Sequence, residues 1–139
     1  MSERNKVEQL FLNYQELKAD IEDINLQLEF DDTIKAINYD RVTTSSTNNI
    51  YSSVENQAEH IERLRKKKTY LVLQRHRLEN ALNTLSEKDK TIMEMYYFQE
   101  CTMRDIAFKL DMNDNYISRR KTKILNNLVA YCKRYNLIN

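Results

Sequence analysis

The chain has 139 residues with no Gly and no Pro, 31% charged residues and a mean hydropathy of −0.75. Strand-rich folds turn on Gly and Pro, so their absence points to long helices joined by Asn, Asp, Ser and Thr, and it excludes Gly-rich phosphate loops. The net charge of +1 hides a polarity: residues 1–60 carry 5 Lys/Arg against 12 Asp/Glu, residues 61–81 carry 7 against 2, and residues 82–139 carry 10 against 7.

The first predicted helix runs from about Glu3 to Phe30. Val7, Leu10, Tyr14, Leu17, Ile21, Ile24 and Leu28 recur at alternating three and four spacing, the seam of a coiled coil. Such a seam needs a partner helix, in this chain or in a second copy. The stretch of about 38–53 breaks the period with β-branched and polar residues such as Val42, Thr43, Thr44, Ser45 and Ser46, whose side chains compete with helical hydrogen bonding. It reads as an irregular loop. The next helix starts near Ser52-x-x-Glu55 and reaches about Asn83, with heptad positions at Val54, Gln57, Ile61, Leu64, Lys68, Leu71, Arg75, Leu78, Leu82 and Leu85. This helix is basic where the first is acidic, so their simplest arrangement is an antiparallel hairpin. A parallel homodimer through the first helix is the competing one. Arg63, Arg65, Lys66, Lys67 and Lys68, with Arg75 and Arg77, form a basic run that either binds nucleic acid or pairs with the acidic helix. His60 and His76 read as surface residues.

Three helix starts follow: Ser86-x-x-Asp89, Thr102-x-x-Asp105, and Asn113 before Asp114. In each, a short polar side chain can accept from a free N–H of the first turn. Helix A covers about Glu87–Gln99 with Ile92, Met95 and Tyr96 on one face, and Tyr96, Tyr97 and Phe98 read as packing residues rather than as a base-stacking platform. Helix B covers about Met103–Leu110 and presents Ile106, Ala107 and Leu110. After a three-residue turn, helix C starts at Asn113 and carries Ile117, Ile124, Leu128, Tyr131 and Tyr135 on one stripe. This bracket is a helix-turn-helix whose second helix can enter a major groove of double-stranded DNA. Asn115, Tyr116, Ser118 and Arg119 face outward at its start as candidate base readers, since Asn and Arg pair best with adenine and guanine edges. Thr102, Arg104, Arg120, Lys121 and Lys123 are candidate phosphate contacts.

The expected fold is thus all-α. Residues 1–84 form a long helical hairpin or coiled coil, and residues 85–139 form a helix-turn-helix domain. Cys101 and Cys132 read as reduced thiols that pack the C-terminal part. No metal-ligand spacing, cofactor motif or catalytic set stands out, so neither a metal, a cofactor nor an enzyme is expected. No apolar run approaches the ~18 residues needed to span a membrane. Residues 1–6 lack an apolar signal core, so a cytoplasmic protein with no membrane partner is expected.

The run Leu85-Ser86-Glu87-Lys88-Asp89-Lys90-Thr91-Ile92-Met93-Glu94-Met95-Tyr96-Tyr97 resembles the opening of region 4 of sigma-70-type RNA polymerase sigma factors. The resemblance continues through Thr102-Met103-Arg104-Asp105-Ile106-Ala107, Leu110, Met112 and Ile117 to Leu125 and Leu128. Two positions depart from that pattern. Asp111 stands where a Gly is usual, and Asp tolerates a left-handed backbone. Arg120 stands where an apolar residue is usual, and its stem can lie along helix A with its head at the phosphates. Nothing upstream resembles sigma region 2. The layout as a whole is similar to small phage and prophage regulators of low-GC Gram-positive bacteria, the RinA-, ArpU- and Xpf-like late-gene activators. That resemblance implies DNA binding near a late promoter, with RNA polymerase as a further partner, in a bacterial or phage-infected cell. Two other readings remain at this point: a DNA-packaging protein similar to a terminase small subunit, and a coiled-coil adaptor that binds protein alone.

Overall fold

The computed structural model describes the backbone of residues 1–41 and 47–139 and the side chains of residues 1–31 and 55–139. The chain is all-α: α1 (Glu3–Leu12), α2 (Tyr14–Arg41), α3 (Thr47–Asn83), α4 (Glu87–Met93), a π-helical segment (Glu94–Phe98), α5 (Met103–Leu110) and α6 (Asp114–Arg134), with no strand among the described residues. Among those residues, no helix is long and apolar enough to cross a membrane.

Several boundaries differ from those expected. The first helix is interrupted at Asn13, whose backbone sits at φ −90 and ψ 4, the bridge region where a short polar side chain competes with the helix. The interval 38–53 is helical up to Arg41 and again from Thr47. The rest of the expected loop lies outside the described residues, as do the side chains of Ser52 and Val54.

Contacts divide the chain into two compact units, Met1–Leu17 with Gln74–Asn139, and Lys18–Leu73. The expected boundary at 84/85 does not coincide with this division, because α1 packs on α6 and on the π segment. In the first unit the larger core gathers Val7, Phe11 and Tyr14 with Leu78, Ala81 and Leu82 of α3, Met93 and Tyr97 of helix A, and Ile124, Leu125, Leu128 and Cys132 of α6. Burial pushes the Cys132 thiol up to about 11, which keeps it protonated and inert. Polar ties close the same core. The Tyr14 hydroxyl donates to Glu79 at 2.6 Å, Arg77 donates to the carbonyl of Tyr135 at 2.9 Å, and Lys133 pairs with Glu3.

On α1 the buried stripe is Val7, Phe11 and Tyr14, with Leu10 half-buried. Phe11 lies off the expected seam. It is buried because α1 covers more than one helix and so needs a wider stripe than a two-helix coil does. In the second unit, Ile21, Ile24 and Leu64 are buried. There Gln57 of α3 donates to the carbonyl of Asp31 at 3.3 Å, and His60 sits 3.5 Å from the Asp31 carboxylate. Val7, Tyr14, Ile21 and Ile24 are therefore buried within one chain, while Leu17 and Leu28 are half-buried. A parallel homodimer would require these same side chains.

Candidate nucleic-acid interface

The helix-turn-helix bracket is α5, the turn Asp111-Met112-Asn113, and the start of α6. α5 begins with a complete capping box. Thr102 Oγ1 accepts from the Asp105 N–H at 3.1 Å, and the Thr102 N–H donates to the Asp105 carboxylate at 3.4 Å, so the free N–H groups of the first turn are satisfied reciprocally. α5 ends on Asp111 in the left-handed region, φ 54 and ψ 51. The Met112 N–H then returns to the carbonyl of Ala107 at 2.8 Å, and that of Asp111 to Phe108 at 3.4 Å, the two bonds of a Schellman closure. Asn113 caps α6 by accepting from the Asn115 N–H at 2.8 Å. All three expected caps are present, since Ser86 also accepts from the Asp89 N–H.

Five buried side chains hold the bracket: Ile92 and Met95 of helix A, Ile106 and Ala107 of α5, and Ile117 of α6. Helix A serves two cores because it widens into the π segment. There the Gln99 N–H bonds to Glu94 and that of Cys101 to Met95, so Ile92 and Met95 face the bracket while Met93 and Tyr97 face the larger core.

Ile117 is fully buried, and the residues around it point outward. Asn115, Ser118 and Arg119 are exposed, and their side chains have no hydrogen-bond or ionic partner among the described residues. Tyr116 is 43% exposed, with the Lys88 ammonium 5.1 Å from its ring centroid, a cation–π distance. These four expected base readers therefore share the first two turns of α6. Of the expected phosphate contacts, Arg104 and Lys123 are exposed and unpaired among the described residues. Thr102 is exposed, but its hydroxyl oxygen is used as a cap.

Arg120 and Lys121 require a correction. Arg120 grips Asp89 with two parallel bonds, Nε to Oδ1 at 2.7 Å and a terminal nitrogen to Oδ2 at 2.6 Å. Asp89 is buried, and Arg120's hydrogen bonds to it hold its carboxyl below the ordinary value of 3.8. The fork is the strong, planar form of the interaction, and it pins α6 to the first turn of α4. Lys121 is turned inward. Its ammonium lies 3.6 Å from Glu8 of α1 and 4.3 Å from the Tyr96 ring centroid, and its side chain is 14% exposed. Glu8 also accepts from the Tyr97 hydroxyl at 2.7 Å, and burial first, then this bond, raises the Tyr97 pKa. Both cations thus brace α6, Arg120 against α4 and Lys121 against α1.

Sequence reasoning missed Asp89 and Glu8 as parts of the site. For Asp89 a signal exists: it interrupts the stripe Leu85, Ile92, Tyr96, and Arg120 interrupts the facing stripe with the opposite charge. Glu8 carries no such mark, because only the distant packing of α1 gives it a role.

Residues 81–129 match the family model of Sigma-70, region 4. The helix-turn-helix is sigma region 4-like. The match runs from the last turn of α3 through most of α6, roughly a third of the chain. No curated protein and no solved structure matches the chain. Within the region 4-like segment, the two departures noted above are accommodated locally, Asp111 by its left-handed turn and Arg120 by Asp89.

Proposed function

We propose that this protein is a sequence-specific reader of double-stranded DNA that regulates transcription, with the first two turns of α6 in the major groove. One observation carries the reading: Asn115, Ser118 and Arg119 are exposed, and unpaired among the described residues, on either side of a fully buried Ile117. A rigid helix start with free Asn and Arg heads is the arrangement that reads base edges directly. Arg104 and Lys123 hold flanking phosphates. The match of residues 81–129 to sigma-70 region 4 supports the DNA-binding part of this reading; action at a late promoter, with RNA polymerase as the second partner, extends it from the resemblance of the layout to phage and prophage activators.

The test starts from duplexes enriched by the protein from fragmented genomic DNA. Arg119→Ala lowers affinity for the enriched sequence by about 1–3 kcal/mol and relaxes preference at one or two base pairs. Lys123→Ala weakens enriched and random duplexes equally and lowers the salt slope by about 1. Equal losses on both duplexes for Arg119→Ala would remove the base-reading role. For the polymerase contact, transcription from a promoter next to the enriched site, using purified bacterial polymerase, rises with added protein. Binding with no rise argues against activation.

A further inference from the structure

With Arg120 and Lys121 engaged inside the fold, α5 and the reading turns of α6 offer few free cations. Arg104, Lys109, Arg119 and Lys123 stand with Asp105, Asp111 and Asp114 exposed among them. Duplex binding draws much of its affinity from phosphate contacts, and the three carboxylates offset most of these four cations, so a further backbone contact would strengthen binding.

The second unit holds exposed cations, two of which lack partners among the described residues. Arg63, Lys66, Lys67 and Tyr70 recur three and four residues apart along α3 and are all exposed, Tyr70 by 60%. Such spacing places them on one stripe. Ile61, Leu64 and Leu71 mark a different face, buried or half-buried. Were the basic run there to neutralise the acidic helix, these heads would meet carboxylates of α2. Instead, Arg63 and Lys67 make no ion pair or hydrogen bond among the described residues. Lys66 meets Glu62 at 3.4 Å, one turn back on its own helix, with side chains 77% and 68% exposed, where such a pair is weak.

We propose that the Arg63–Lys66–Lys67–Tyr70 stripe of α3 is a second duplex-DNA contact that binds the sugar-phosphate backbone, a proposal that rests on the chain being a duplex-DNA binder. The three cations neutralise phosphates, and the Tyr70 hydroxyl donates a hydrogen bond to a phosphate oxygen. An acidic protein surface fits less well, since protein interfaces deplete Lys and are anchored on an apolar centre, and the one aliphatic neighbour of this stripe among the described residues, Leu73, lies at its end beyond Tyr70 and is 44% exposed. The contact carries no sequence information. It adds affinity, and it makes binding depend more steeply on salt than the helix-turn-helix does alone.

The experiment measures affinity of the full chain for a random-sequence duplex across a potassium chloride series. The variants are Arg63→Gln/Lys66→Gln/Lys67→Gln, the charge-conserving Lys66→Arg/Lys67→Arg, and Lys123→Ala. The triple variant is expected to lower the slope of log affinity against log salt by about 0.9 for each cation removed, with an unchanged melting curve, while the charge-conserving pair keeps the slope. An unchanged slope for the triple variant, with the slope lowered for Lys123→Ala, overturns this inference and leaves the reader intact. Absence of duplex binding by the unsubstituted chain at low salt overturns both. Loss of slope in the triple variant together with a collapsed melting curve assigns the stripe to folding, which also overturns the inference.

Discussion

The five side chains that hold the helix-turn-helix bracket come from residues 92 to 117, whereas the twelve of the neighbouring core come from stretches as far apart as Val7 and Cys132. A cluster of five cannot offset the chain entropy of ordering two helices and a turn. The bracket therefore borrows its stability from the larger core, through helix A and α6, which contribute to both. The residues proposed to read bases are local in sequence, but what holds them still is not.

The largest effect that tests this comparison is at Phe11, which is 1% exposed, forms an aromatic pair with Tyr97 at 5.6 Å and lies far in sequence from every reading residue. Phe11→Ala is expected to destabilise the first unit by about 3–5 kcal/mol. Backbone amide exchange at Ile106 and Ile117 should accelerate along with exchange in α1. Were the bracket to keep its protection while α1 loses it, the two clusters would be independent and the comparison would fail.

Next in size is the Asp89–Arg120 fork, a polar link between α4 and α6 beside the bracket. Asp89→Ala removes one partner of a pair whose Arg120 side chain is 29% exposed, and with that screening it is expected to destabilise by about 2 kcal/mol. Replacing both residues, Asp89→Leu with Arg120→Met, is expected to recover most of the loss, and a double-mutant cycle in urea measures the coupling. The fork also has a pH signature. Because Asp89 titrates below its ordinary value of 3.8 in the folded chain, its contribution is fully present above that value and is lost as pH falls through the lowered one. Asp89→Asn should flatten that acid limb. On DNA, Arg120→Met is expected to leave the salt slope unchanged, in contrast with Lys123→Ala. A lowered slope would return Arg120 to the phosphates.

How far the sequence reveals the molecule follows the same division. The three caps, the left-handed Asp111 and the exposure of Asn115, Ser118 and Arg119 are legible because each depends on neighbours within a turn or two. The family likeness over residues 81–129 is legible for the same reason. The seam of Val7 to Leu28 shows that a helix is there, but periodicity is silent on which partner covers it. Phe11 replaces Leu10 as a fully buried residue because α1 meets α6 and the π segment, a consequence of long-range packing. The roles of Arg120 and Lys121 escape for a related reason. A charge on a reading helix looks like a phosphate contact until the carboxylate opposite it, Asp89 or Glu8, is brought into place by the fold.

The smallest effects lie in the turns, where a chain without Gly has had to use other residues. The described residues with positive φ are Glu100 at 55, Asp111 at 54 and Asn136 at 58, and each is followed by a backbone bond back into the preceding helix, from Cys101 to Met95, Met112 to Ala107 and Leu137 to Cys132. Asp and Asn bear a left-handed backbone with modest strain, while Glu, with a longer side chain and no local hydrogen bond to offset it, bears it less well. Glu100→Gly is expected to raise stability by about 1 kcal/mol, and Asp111→Gly by no more than a few tenths. Thermal melts of the two variants separate these values. Because Glu100 closes helix A between the two clusters, its relief should stabilise both together. A gain confined to one cluster, read by amide exchange at Ile106 against Leu128, would show that helix A does not couple them.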